Sequence, residues 1–241
     1  MTGGAKRVGR AISLALARAG ADVAVHHRTS TSEAAELCTS ISDLGRRAPM
    51  VQADLRDPGQ TRAMVDQALE ELGGLDILVN NAASFAEAAF LDSSDQQWEQ
   101  AWSLSLEINL VAPARMARLC APFLRASRGV IINLHDIAGE YVWPGHLQHG
   151  AAKAGLKHLS ASLAAVLGPE IRVNGVMPGI AIFPAGASKA EQDRQIANTL
   201  LHRPGTAEDI ADAVVFIAGA DYMTGAHLAV DGGWSVHGDR D

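Results

Sequence analysis

The sequence has little of several things, and each scarcity excludes a class of protein. Only two cysteines occur, Cys38 and Cys120, far apart and with neither a C-x-x-C pair nor a His/Cys ligand spacing. A disulfide scaffold and a zinc site are therefore not indicated. Basic residues number 20 against 27 acidic ones, a formal charge of −7 at pH 7. That balance argues against a nucleic-acid surface, which needs a basic patch. No apolar run approaches the roughly 20 residues of a membrane helix, and no signal peptide precedes the first glycines. The expected location is the reducing cytoplasm, with neither nucleic acid nor membrane as partner. Linkers, low-complexity tracts and repeats are also missing. What remains is an ordinary globular composition, 48% apolar and 20% charged over 241 residues, suited to one large α/β domain or two small ones.

Hydrophobic periodicity alternates along the chain. Short β-branched runs at 21–26, 49–53, 75–80, 129–134 and 171–176 read as strands buried on both faces. Helical patterns occupy 8–19, 32–44, 61–72, 96–125 and 151–167, with a last helix at 207–218 and a last strand at 227–230. Gly20, Gly45, Gly73 and Gly168 follow helices, where a left-handed cap is expected. Such alternation implies one domain over 1–241, a doubly wound parallel sheet between two helical layers.

Thr2-Gly3-Gly4-Ala5-Lys6-Arg7-Val8-Gly9 is a glycine-rich turn feeding the first helix. Such a turn sets backbone N–H groups and a helix N-terminus beneath a phosphate, although alone it is a weak signal. It is followed in order by N-N-A at 80–82, Asn109 in a long helical pattern, and V-N-x-V-x-P-G at 173–179. Together these closely resemble the short-chain dehydrogenase/reductase family across essentially the whole chain. Arg7 in the turn, N-N-A-A-S-F at 80–85, Asp136 where most relatives carry serine, and V-D-G-G-W-S-V at 230–236 resemble its pteridine reductase (dihydromonapterin reductase) branch. The resemblance implies a Rossmann-type fold, a homotetramer, and NADPH-dependent reduction of a dihydropterin such as dihydromonapterin or dihydrobiopterin. A carbonyl reductase of the same family, acting on a 3-oxoacyl group or another ketone, is the alternative. Asp136 argues against it, because a ketone site usually wants the neutral serine hydroxyl.

The cofactor residues fit this resemblance. Gly3, Gly4 and Gly9 let the backbone approach a pyrophosphate, and Lys6 and Arg7 add positive charge. The strand that starts near 21 runs into His27-Arg28-Thr29-Ser30. An NAD site would place an acid there; a guanidinium and two hydroxyls suit a 2′-phosphate, so NADP is preferred. The resemblance assigns Asp54 and Leu55 to the adenine, although Asp54 equally suits a helix cap. It assigns Asn81 and Ala82 to a backbone over which the cofactor lies, and Pro178, Gly179 and Ile180 to the nicotinamide carboxamide. Arg7 and Phe85 would hold the pterin between cofactor and aromatic ring; Phe85 equally suits a core position.

The resemblance also implies a catalytic set of Asn109, Asp136, position 149 and Lys153, with the lysine on the nicotinamide ribose. Positions 149 and 153 lie one helical turn apart on one face. The family's tyrosine is here His149. Neutral imidazole is a poor acid, so His149 would act as imidazolium, from an ordinary pKa of about 6.5. Asp136 would favour that charge, while Lys153 and a cationic cofactor would oppose it. An Asp136–His149 proton donor with a mildly acidic optimum is expected. Three alternatives stay open: Asp136 donating alone, Tyr141 supplying a phenol, or an NADP-binding protein with weakened turnover. No metal is expected, because His135, His158, His202, His227 and His237 share no ligand spacing. Trp98 and Trp102, four apart, read as packing.

Members of this family begin with a strand ending in V-T-G, and Met1 directly precedes Thr2-Gly3. The expectation is that the central strand is missing, which leaves ladder groups of its two neighbours unpaired.

Overall fold

The β-branched runs of this chain can bury both faces only if helices cover each side of a sheet, and the architecture meets that demand. A computed structural model describes residues 1–180, 183 and 187–237. Within them the strands are β1 (Val25–His27), β2 (Met50–Gln52), β3 (Ile77–Asn80), β4 (Val130–Leu134), β5 (Arg172–Pro178) and β6 (His227–Val230). The helices are α1 (Arg7–Arg18), α2 (Thr31–Ser42), α3 (Pro58–Leu72), α4 (Asp95–Leu106), α5 (Ala112–Ser127), α6 (Leu147–Leu167), α7 (Lys189–Ala197), α8 (Ala207–Gly219) and α9 (Trp234–His237). Every strand pair is parallel. Alternate residues serve opposite faces. Val79, Val130 and Ile132 pack with Ile12, Leu37 and Val214 of α1, α2 and α8. Leu78 and Ile131 pack on the other face with Met64, Met116 and Leu124 of α3 and α5.

The strands form two separate sheets, β1–β2 and β3–β4–β5–β6. Residues 1 and 2 lie between them. The Met1 amino group donates to the Ala24 carbonyl (3.1 Å), the Met1 carbonyl accepts from His26 N (3.1 Å), and Thr2 N donates to the Val79 carbonyl (3.0 Å). Beyond this stub lies a cavity of ≈ 410 Å³ lined by Val23, Ala24, Met64, Ile77, Leu78 and Met116. β1 and β3, the strands expected to flank a central one, are not paired with each other and border this cavity.

Several boundaries differ from the sequence reading. The pattern at 96–125 is two helices joined by a π-helical turn, Glu107–Val111. Helix α6 starts at Leu147, ahead of 151, without a side-chain cap to announce it. Gly20, Gly45 and Gly73 take the left-handed conformation, but Gly168 does not (φ −70°). Arg128, at φ 53°, supplies an unexpected left-handed cap for α5. Helix α7 was not anticipated, since it buries none of its residues and offers no apolar period to read. Among the described residues no helix is long and apolar enough to cross a membrane.

Candidate functional site

Parallel sheets offer their ligand site at the carboxyl ends of the strands. Here a cleft of ≈ 550 Å³ opens at that edge. Its wall brings together Gly3, Lys6, Arg7, Gly9, His27, Arg28, Thr29, Ser30, Asp54, Leu55, Asn81, Ala82, Phe85, Asp136, Lys153, Pro178 and Gly179. Three expected residues stand apart from the wall. Ile180 packs with Ile137, Met177 and Trp234. Asn109 and His149 are buried behind the cleft.

The glycine turn is clamped from β3. The Thr2 hydroxyl accepts from Asn81 N (3.0 Å) and Ala82 N (3.1 Å), and the Asn81 amide donates to the carbonyls of Thr2 and Gly3. A Cβ on Gly9 would sit 2.1 Å from the Gly3 carbonyl oxygen, so only glycine lets α1 pass so close to the turn. Arg7 opens α1 at φ 51°, a strained conformation for a side-chain-bearing residue and one met at functional sites. The first turn of α1 has no acidic residue and no side-chain cap, which leaves amides and the positive dipole end for an anion. Arg7 and Arg28 form no ion pair among the described residues, whereas Lys6 is paired to Glu33 of α2 at 2.5 Å. Much of the Lys6 charge is therefore already answered. Asp54 is gripped by the Arg56 guanidinium, which holds its carboxyl down at about pKa 2. It does not cap α3; Asp57 does, accepting from Gly59 N and Gln60 N. Free guanidinium groups, open amides and a β1 end without an acid fit a phosphorylated dinucleotide.

The π-helical turn places Asn109 against the loop after β3. Asn109 donates to the Ser84 carbonyl (2.8 Å) and to Ser105 Oγ (3.3 Å), and accepts from Ser84 N (3.1 Å). The same Ser84 carbonyl lies 3.2 Å from Nδ1 of His149, whose Nε2 lies 3.2 Å from Oδ2 of Asp136. Asp136 also accepts from Ala138 N (2.9 Å). Both ring nitrogens of His149 therefore face acceptors. Nδ1 must carry a proton toward the carbonyl, and a bare Nε2 lone pair against an ionised carboxylate would repel. The arrangement is satisfied when one further proton lies between Asp136 and His149. His149 is fully buried beneath Phe85, whose ring stacks on it at 4.0 Å and 20° while remaining 57% exposed. Phe85 is thus not a core residue, and it seals His149 from the cleft.

Lys153 is buried and donates to the Leu134 carbonyl (2.7 Å); burial pushes its pKa down to about 8, opposed by Asp136. Tyr141 is elsewhere. Its hydroxyl donates to the Ser235 carbonyl (2.7 Å) and its ring meets Trp234 edge-on, which sets aside the phenol alternative. Trp98 and Trp102 pack on each other at 5.7 Å. Glu87 and His146 (2.9 Å), with Gln148 on the Ala88 carbonyl (3.0 Å), fasten the loop after β3 to the start of α6. Ser84 was not legible in the sequence, because it acts through its backbone.

Residues 3–235 match the model of a family described as enoyl-(acyl carrier protein) reductase. Over 239 residues the chain is 35% identical to an uncharacterized oxidoreductase of Mycobacterium tuberculosis, spanning 97% of this chain and 90% of that one. It is 31% identical over 239 residues to the 3-oxoacyl-[acyl-carrier-protein] reductase of Staphylococcus aureus, spanning 97% and 96%. Among solved structures it is similar to a blue fluorescent protein from a metagenomic library in complex with NADPH. That match has a TM-score of 0.87 and 34% identity over 97% of this chain and 95% of that one. A dehydrogenase/reductase from Sinorhizobium meliloti 1021 gives 0.88 and 33%, over 97% and 92%.

Proposed function

Because the chain belongs to the short-chain dehydrogenase/reductase family of oxidoreductases, we propose that residues 1–241 act as one NADPH-dependent reductase domain for a dihydropterin such as dihydromonapterin or dihydrobiopterin. The observation that carries this reading is the Asp136–His149 contact, Nε2 to Oδ2 at 3.2 Å, with Asp136 on the cleft wall; in this reading the pair shares one proton. Bound NADPH would supply the hydride. Reducing a C=N bond leaves a nitrogen that must be protonated, and a carboxyl group at the wall can serve it.

In this account the amides of α1, Arg7 and the Gly3 and Gly9 backbone hold the pyrophosphate, with Lys6 contributing less because of Glu33. Arg28, Thr29 and Ser30, beside His27, take the 2′-phosphate. Asp54 and Leu55 border the adenine, Asn81 and Ala82 carry the cofactor's middle, Pro178, Gly179 and Ile180 border the carboxamide, and Lys153 serves the ribose. The pterin lies on the exposed face of Phe85, within reach of Arg7. The shared proton passes from Asp136 to the substrate nitrogen and leaves an Asp136 carboxylate beside neutral His149, whose ring Ser84 and Asn109 keep oriented; a proton from water in the open cleft then restores the pair. NADPH in the metagenomic neighbour supports the cofactor choice. A cytoplasmic homotetramer fits the chain's exposed Phe90, Leu91, Val166 and Phe216, which would be covered by other subunits.

The 3-oxoacyl alternative draws on one finding, the name of the Staphylococcus aureus relative. Steady-state NADPH oxidation with a panel of dihydropterins and 3-oxoacyl thioesters separates the two. Turnover of the pterins is expected. Turnover of thioesters alone would hand the site to the carbonyl reading, and cofactor binding without any turnover would leave an NADP-binding protein.

A further inference from the structure

His26 precedes the 2′-phosphate loop, and none of the cofactor or catalytic roles above falls to it. It is nevertheless buried at the junction of three segments. Its ring Nδ1 accepts from Gly3 N (2.9 Å), and its Nε2 lies 3.1 Å from the Ala53 carbonyl. Gly3 N can only donate and the Ala53 carbonyl can only accept, so the ring is the neutral tautomer with its proton on Nε2. Its backbone joins the same turn, donating to the Met1 carbonyl (3.1 Å) and accepting from Gly4 N (2.9 Å). Burial pushes its pKa down to about 4, which keeps the ring neutral at physiological pH.

We propose that His26 is a positioning residue for the dinucleotide, its ring fixing the distance between the glycine turn and the wall that begins at Ala53. The proposal rests on the NADPH reading above. The turn and the Ala53–Asp54–Leu55 wall line the same cleft, and one dinucleotide would have to meet both. Gly3 stands at φ 60°, with its carbonyl pressed by α1 at Gly9. Its N–H has the His26 ring as its partner, so the turn's orientation depends on that ring. The span is also longer than a hydroxyl or a short amide could reach from this position, which is why a histidine fits.

Two conservative variants divide the ring's two bonds. His26→Asn places an amide oxygen where Nδ1 stood and keeps the Gly3 bond. His26→Gln reaches Ala53 with its amide nitrogen and gives up Gly3. NADPH titration by tryptophan fluorescence is expected to show His26→Gln weakened about tenfold, the cost of one unsatisfied buried donor. His26→Asn, which keeps Gly3 but gives up the Ala53 end of the span, should be weakened by about threefold to tenfold as well. The loss should fall on Kd and KM for NADPH far more than on kcat. Independently of any cofactor, ¹⁵N spectra of the wild-type ring should show Nε2 protonated and Nδ1 bare. Melting curves check that each variant folds, and a variant that fails to fold leaves the ring spectrum and the other variant to decide. A ring protonated on Nδ1, or either variant binding as tightly as wild type, would overturn the proposal alone. A wild-type chain that binds neither NADPH nor NADH would overturn it together with the cofactor reading.

Discussion

At the scale of single residues, the chemistry turns on a few positions with no room for substitution. Gly9→Ala would drive a methyl group into the Gly3 carbonyl, 2.1 Å away, where only backbone can yield. About 1–3 kcal/mol of stability should be lost, and NADPH binding should weaken with it, as seen by melting and by fluorescence titration. Arg28→Ala should cost NADPH about tenfold in affinity while leaving NADH nearly unchanged, because a charge-assisted contact to the 2′-phosphate is lost. Equal losses for the two cofactors would contradict the role of Arg28. Gly9, Asp136 and Lys153 are marked as candidates by their match to the family's motifs, and all three gather at the cleft wall. The pairing of Lys6 with Glu33, the stacking of Phe85 on His149 and the diversion of Tyr141 to Ser235 were not legible in the sequence. Each depends on partners brought together only by the folded chain.

Elements were easiest to read where burial enforces a period. The strands and α1, α3 and α8 follow from their apolar patterns, while the amphipathic signal of 96–125 continued straight through the π-helical turn. One inserted residue shifts the helix face without interrupting its hydrophobicity, so sequence periodicity cannot register it. The cavity-facing edges of β1 and β3 show the same dependence on neighbours. The alternation of a parallel ladder turns the backbone groups of Ile77 and Val79 toward the cavity between the sheets, where the Val79 carbonyl meets Thr2 N. Joining about five β-branched residues to the Met1 amino group would extend that stub and supply ladder partners on both sides. Thermal unfolding of such an extended chain should shift up by several degrees. An unchanged or lower midpoint would mean that the cavity does not accept a strand.

For the whole molecule, stability against acid rests on buried histidines. Burial depresses His26 to about 4 and His135 to about 3, from 6.5 in the unfolded chain. The unfolded state therefore binds more protons below pH 6.5, and stability falls as the pH drops from there toward 3–4. The Met1 amino group, pushed down to about 6 by burial, acts in the same direction between pH 8 and 6. Denaturant unfolding at a series of pH values should show the midpoint falling steadily below about pH 6.5, whereas a flat profile to pH 4 would contradict the buried neutral rings. The fold was readable in the sequence, and so were most of the residues that gather at the cleft. The position of the proton was not, because it depends on the Ser84 carbonyl and the Asp136 carboxylate meeting the two sides of one imidazole. The most direct test is kcat of wild type and Asp136→Asn at saturating NADPH and dihydropterin. Loss of the shared proton should lower kcat by about 10²–10⁴-fold while NADPH affinity stays close to wild type. An Asp136→Asn enzyme that turns over at the wild-type rate would contradict the account.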